Sequence, residues 1–309
     1  MVGPGKIVVG IYDTHKEMGD NAANVVLRFH QDGETAFNGA TGSTQKVTYK
    51  ALRESGRDFS NTTWRFLDEY LGKENYSIYS QREWRELHPD KSKAPKAENI
   101  HVPRSIFYIN NTIVNDEIFE NLLEENKNDW KRFGPEIRLD RNPINDTLRE
   151  ISESNQAYHD EVEKADAVVQ MFGIGPPPKT HKDAGGHVAF LEPGCDRYCH
   201  VTIVKLADAT MEANDSDEPA KYAFTQGYKT FEFSRNALVS ANKSKKAEPV
   251  RWMIEEPFGP NNPAKYLLNI PFETLYLMLD KEAAETTDWE HFDKTPNVRI
   301  FKGKPVIEL

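Results

Sequence analysis

The apolar run Ala167-Val168-Val169-Gln170-Met171-Phe172, closed by Gly173-Ile174-Gly175, constrains this chain most. A short apolar run bounded by glycines reads as a buried parallel strand that empties into a loop. Such a strand is apolar on both faces, so both must be covered. Downstream, Gly185-Gly186-His187-Val188-Ala189-Phe190-Leu191-Glu192-Pro193-Gly194 places an imidazole and a carboxylate five residues apart. The flanking glycines let a ligand approach the backbone closely. In open α/β sheets ligands bind where strands end, and a His supported by a Glu suits proton shuttling near neutral pH. A structural His paired with a Glu in a turn would leave the same trace.

The rest of the chain alternates strand and helix signals. Residues 6–12 read as a strand. Thr14 and Glu17 form a capping box, and Ala22, Val25, Val26 and Phe29 recur at helical spacing to about residue 30. Residues 36–44 read as a short strand breaking into a Gly/Ser/Thr loop, 45–56 as a helix, and 63–67 as a strand ending at Asp68-Glu69-Tyr70. An exposed helix over 145–164 leads back to the sheet. Further strands are expected at 200–206, 237–241 and 275–280, with a helix over 245–255. This pattern predicts an α/β fold, a Rossmann-like three-layer arrangement of parallel sheet with helices on both faces. Residues 1–309 read as one domain, with an inserted excursion or lid at about 104–144 and a peripheral tail over the last twenty residues.

The 309 residues are 38% hydrophobic and 28% charged, enough to bury a sizeable core. The formal net charge of −10 argues against nucleic acid or an anionic membrane as partner. An anionic substrate would need a locally basic or amide-rich pocket. No run of eighteen apolar residues occurs, and the N-terminus lacks a signal-peptide layout, so a cytoplasmic protein is expected. Only two cysteines are present, Cys195 and Cys199. With His200 they could hold part of a zinc site, but no second pair completes it, and two ordinary thiols are expected.

Two further loops could carry chemistry. Thr41-Gly42-Ser43-Thr44 sits between a strand and a helix, where hydroxyls and amides suit a phosphate; an ordinary helix cap has the same composition. Asp68-Glu69 follows a strand and could supply a general base, or simply cap a helix. In the open-sheet arrangement these two loops and the His187 loop would share one sheet edge.

These residues, in this order, resemble the glucosamine-6-phosphate deaminases (isomerases), in the superfamily that includes 6-phosphogluconolactonases. Thr41-Gly42-Ser43-Thr44 with Thr48-Tyr49-Lys50-Ala51-Leu52 is similar to the family's phosphate loop and its helix. Phe66-Leu67-Asp68-Glu69-Tyr70-Leu71-Gly72 resembles its Asp-Glu-Tyr motif. Gly173-Ile174-Gly175, Gly186 through Pro193, Pro219 through Ala223, and Lys246-Ala247 continue the match.

The resemblance implies conversion of glucosamine 6-phosphate to fructose 6-phosphate and ammonia, with no metal or organic cofactor. Asp68 would move the proton between C1 and C2, His187 would assist ring opening, and Glu192 would orient it. Thr41, Gly42, Ser43, Thr44 and Lys246 would hold the phosphate. A homo-oligomer is expected, as family members are often oligomers. Three departures stand out. The family's Asp two residues before the His is Gly185 here, with Asp183 a candidate substitute in a loop lengthened by Pro176-Pro177-Pro178-Lys179-Thr180-His181-Lys182. A phosphate-binding Arg aligns with Ser216, and a family Gly position holds Lys243. A silent sugar-phosphate-binding or regulatory protein therefore stays open beside the enzyme. Lactone hydrolysis is weakened by Asp68-Glu69-Tyr70 and Phe190-Leu191-Glu192.

Overall fold

The computed structural model describes residues 3–176, 185–213 and 220–307. Its strands are Lys6–Tyr12 (β1), Ala36–Gly39 (β2), Thr63–Phe66 (β3), Asp68–Tyr70 (β4), Ile100–His101 (β5), Tyr108–Ile109 (β6), Thr112–Ile113 (β7), Trp130–Phe133 (β8), Glu136–Leu139 (β9), Val169–Gly173 (β10), Thr202–Lys205 (β11), Tyr222–Thr225 (β12), Asn236–Ala241 (β13), Thr274–Asp280 (β14) and Val298–Lys302 (β15). The main helices are His15–Gln31 (α1), Gln45–Glu54 (α2), Asn75–Gln81 (α3), Asp116–Glu125 (α4), Asp146–Lys164 (α5), Asp208–Ala213 (α6), Tyr228–Phe231 (α7) and Ala247–Glu255 (α8).

The expected parallel sheet is present as eight strands in the order β15-β1-β14-β13-β10-β2-β3-β5. Every neighbouring pair is parallel. The central strand β13 is buried at all six positions, its polar residues Asn236 and Ser240 included. Helices flank the sheet; α1 packs on α2 and on β14. Helix α1 begins with the Thr14/Glu17 capping box, and the helix expected from 245 begins at Ala247, after a 3-10 turn over Ser244–Lys246.

Two features differ from the sequence reading. The last residues are no peripheral tail: β15 pairs in parallel with β1, and Val298 is fully buried. Its charged residues Arg299 and Lys302 hid it, and such charges are tolerated because β15 is an edge strand. There is also a second, antiparallel sheet in the order β4-β12-β11-β9-β8. The strand expected at 200–206 belongs to it as β11, and the Asp-Glu-Tyr segment starts it as β4.

Residues 104–144 supply β8, β9 and α4, together with the β6–β7 hairpin. They share a separate hydrophobic core with the second sheet, in which Phe107, Phe119 and Ile137 meet Leu148, Ile203 and Phe224. No helix among the described residues is long and apolar enough to cross a membrane.

Candidate active site

A cleft opens at the C-terminal ends of four adjacent strands, β13, β10, β2 and β3, the place where open α/β sheets bind ligands. Each strand contributes its own loop. From β2 come Ala40 and residues 41–44; from β3, Leu67 and Asp68; from β10, 173–176; from β13, Asn242, Lys245 and Lys246. His187, Ala189 and Phe190 close one side.

The cleft thus gathers Thr41, Gly42, Ser43, Thr44, Asp68, His187 and Lys246 from the sequence-derived candidates. Glu192 stands behind the His187 ring. Glu69 is buried elsewhere: its Oε1 accepts from the Tyr70 N–H at 3.0 Å, and it does not line the cleft. Asp183 and Ser216 lie outside the described residues.

Asp68 is the first residue of β4, opposite Thr225 in β12. The backbone leaves the parallel sheet at Phe66 and enters the antiparallel one at Asp68, so its carboxylate sits at the junction of the two. Burial, followed by the charge of nearby Glu69, raises its pKa to about 8; Thr41, whose Oγ1 lies 3.5 Å from Asp68 Oδ1, opposes this. A carboxyl that titrates near the working pH is suited to moving protons in both directions.

On the opposite side the loops are built for an anion. Thr44 makes no side-chain cap to α2; its hydroxyl donates instead to Asn242 Oδ1 at 3.0 Å, tying the β2 loop to the β13 loop. Gly42 has φ +96, a conformation side chains rarely adopt. Lys246 is pulled down to about 8 by burial and by its neighbour Lys245. Lys243, preceding them, has φ +70 and ψ 153, a region almost reserved for glycine. Both Asp280 carboxylate oxygens accept its N–H, at 3.1 and 3.0 Å, and hold the loop there.

His187 lines the cleft with its ring partly buried, and desolvation, with Lys246 adding to it, pushes its pKa down to about 3. The ring is neutral at physiological pH. It fits only because Gly175 has no side chain: a Cβ there would lie 1.8 Å from His187 Nε2. Glu192 is raised to about 6 by burial, against hydrogen bonds from Thr210 and the Ala207 N–H. No ion pair joins Asp68, His187, Glu192 and Lys246 among the described residues. Buried ionisable groups without counter-charges are costly, and they are common at functional sites.

Gly185 sits where a side chain would be crowded. A Cβ there would meet Asn262 Oδ1 at 2.3 Å, while the Gly185 N–H donates to the Asn261 carbonyl at 2.7 Å. Sequence reasoning missed Asn242, Lys245 and Thr210. The first two follow a buried strand and belong to a basic loop, which is a readable signal; Thr210 lies 23 residues from its partner His187 and has none.

Cys195 and Cys199 are free and buried, and burial pushes both thiols up. Among the described residues the one compact ligand-type group is His159, Asp160 and Glu163 on α5, none of which lines the cleft.

No family model matches the chain. Its sequence is 27% identical over 284 residues to a glucosamine-6-phosphate deaminase of Lacticaseibacillus paracasei, covering 89% of this chain and 97% of that protein. It is 28% identical over 306 residues to the one of Colwellia psychrerythraea, covering 94% and 95%. A solved structure of a monomeric glucosamine-6-phosphate deaminase aligns with a TM-score of 0.66 at 23% identity, over 90% of this chain and 98% of that one. A 6-phosphogluconolactonase from Leishmania guyanensis aligns with a TM-score of 0.58 at 17% identity, over 90% and 98%.

Proposed function

Starting from a chain that is a divergent relative of the glucosamine-6-phosphate deaminases, we propose that it is an enzyme of phosphorylated amino sugars. Consuming one water, it converts an amino-sugar phosphate, glucosamine 6-phosphate in the first instance, to fructose 6-phosphate and ammonia. The observation that carries this reading is the division of one cleft into an anion end and a proton-transfer end.

The phosphate lies against Lys246, Lys245 and the hydroxyls and amides of 41–44, which answers how a chain of net charge −10 attracts an anion. Its sugar then extends toward Asp68, which takes the proton from C2 and returns it to C1. His187, neutral and at the inner wall, serves the ring oxygen during opening. An aldose–ketose shift requires these two proton movements and a base whose pKa lies close to the ambient pH. Lactone hydrolysis, the activity named for several fold neighbours, needs no carboxylate beside C2, and Asp68 at that position favours isomerisation.

The test is release of ammonia and fructose 6-phosphate from glucosamine 6-phosphate by the purified protein, with Asp68→Asn alongside. Turnover that disappears in the variant supports the reading. A folded protein that binds the substrate without turning it over overturns it in favour of a silent binding protein, and turnover of 6-phosphogluconolactone alone overturns it in favour of hydrolysis.

A further inference from the structure

The His187 ring poses a chemical problem. It is placed to give and take a proton, yet it sits in the cleft wall beside the Lys246 ammonium, where an imidazolium is strongly disfavoured. The carboxylate that could share that charge is missing at Gly185, where Asn262 fills the space. A proton collected by the ring must therefore be held elsewhere.

The structure supplies a path. Thr210 of α6 is buried, and its Oγ1 lies 3.0 Å from His187 Nδ1. The same hydroxyl donates to Glu192 Oε1 at 2.5 Å, and the Ala207 N–H donates to that oxygen at 3.1 Å. A hydroxyl has one hydrogen. While Glu192 is ionised it can only accept that hydrogen, so Thr210 accepts from His187 and the ring proton sits on Nδ1. Nε2 then faces Gly175, which lines the cleft. Glu192 Oε2 has no hydrogen-bond partner and lies buried, so nothing further stabilises the charge of this carboxylate.

Resting on the function proposed above, we propose that Thr210 is a positioning residue that relays protons between His187 and Glu192. When Nε2 takes a proton, Nδ1 passes its own to Thr210 Oγ1, and Thr210 passes its hydrogen to Glu192 Oε1. One proton enters at the ring and one is stored on the carboxylate. The imidazole changes tautomer and stays neutral; reversal returns the proton to the substrate. The hydroxyl thereby does the work that a directly bonded carboxylate would do, without placing a second full charge against the ring.

The test compares Thr210→Val, which keeps the shape and loses the hydroxyl, with Thr210→Ser, which keeps the hydroxyl. With glucosamine 6-phosphate, Thr210→Val is expected to lower kcat roughly 100-fold with KM within about threefold, while Thr210→Ser stays within about threefold of the parent on both. Nitrogen-15 NMR of the substrate-free protein gives a readout that needs no turnover. At pH 7.5 the His187 proton should reside on Nδ1 in the parent and on Nε2 in Thr210→Val.

As the pH falls through about 6, where Glu192 takes up its proton, the parent ring should switch from the Nδ1 to the Nε2 tautomer without becoming charged. The groups facing the pair are Lys246 on the ring side and Cys195 and Tyr228 on the Glu192 side. A parent ring already protonated on Nε2 at pH 7.5, or a Thr210→Val protein with an unchanged tautomer and unchanged kcat, overturns the relay. Absence of turnover in the parent defeats the proposed function while the NMR result still decides the relay.

Discussion

The two ends of the cleft are made from different materials. The anion end is loop backbone at parallel strand ends, held by Asp280 and by the Thr44–Asn242 hydrogen bond, and its cations are lysines. The proton-transfer end borrows from the antiparallel sheet and from α6: Asp68 opens β4, and His187 leans on Thr210. One end works by charge that is present before the ligand arrives. The other works by groups that burial keeps close to neutral. The lesson is that one cleft can pull an anion in and still keep its acid–base groups switchable, provided the two tasks sit on separate scaffolds.

The largest effect should come from removing the base. Asp68→Asn is expected to lower kcat on the order of 10³-fold or more, while inorganic phosphate still binds, as measured by calorimetry; loss of both together would erase the distinction between the ends. The same carboxyl leaves a signature in stability. Its folded pKa of about 8 lies above the unfolded value near 4. Its stabilising contribution is therefore complete below about pH 4 and is lost as pH rises through 8. Denaturant titrations should show Asp68→Asn losing that downward slope between pH 4 and 8.

Next in size is the anion end. Lys246→Met removes a charged hydrogen-bond donor worth about 1.5–3 kcal/mol, so KM should rise roughly 10- to 100-fold with kcat changed less. An equal loss in kcat would show that Lys246 also serves the chemistry. A smaller, directional effect concerns protons. Because Lys246 is held near 8 by burial and by Lys245, a bound phosphate should push it back up. Phosphate binding at pH 8 to 9 should then take up protons, seen as a binding enthalpy that depends on the ionisation heat of the buffer.

The smallest effect is expected at Lys243. Its glycine-like backbone costs about 1–3 kcal/mol, partly offset in a glycine variant by greater freedom of the unfolded chain. Lys243→Gly should raise stability by roughly 1 kcal/mol in chemical denaturation with KM almost unchanged.

The parallel sheet was legible because its central strands are buried on both faces and leave largely apolar runs, as at β10 and β13. The antiparallel sheet was not. Its strands are short, β8 exposes Lys131, Arg132 and Phe133, and β4 spans three residues whose carboxylates suggested a loop. For the site, strand-end glycines, hydroxyls and carboxylates marked the loops of 41–44, Asp68 and His187. Thr210 was hidden because its meaning lies in a contact across 23 residues of chain, which no local pattern records.

The position of Asp68 at the crossing between the sheets has a consequence for how activity is lost. The second sheet rests on a separate, smaller core, the kind of unit that opens locally before the whole molecule does. Its opening would carry away the partner of the base, Thr225, while the lysine loop stayed folded on β13. Under mild heat or dilute denaturant the protein should become inert before it becomes blind, still recognising its phosphorylated ligand after it has ceased to transform it.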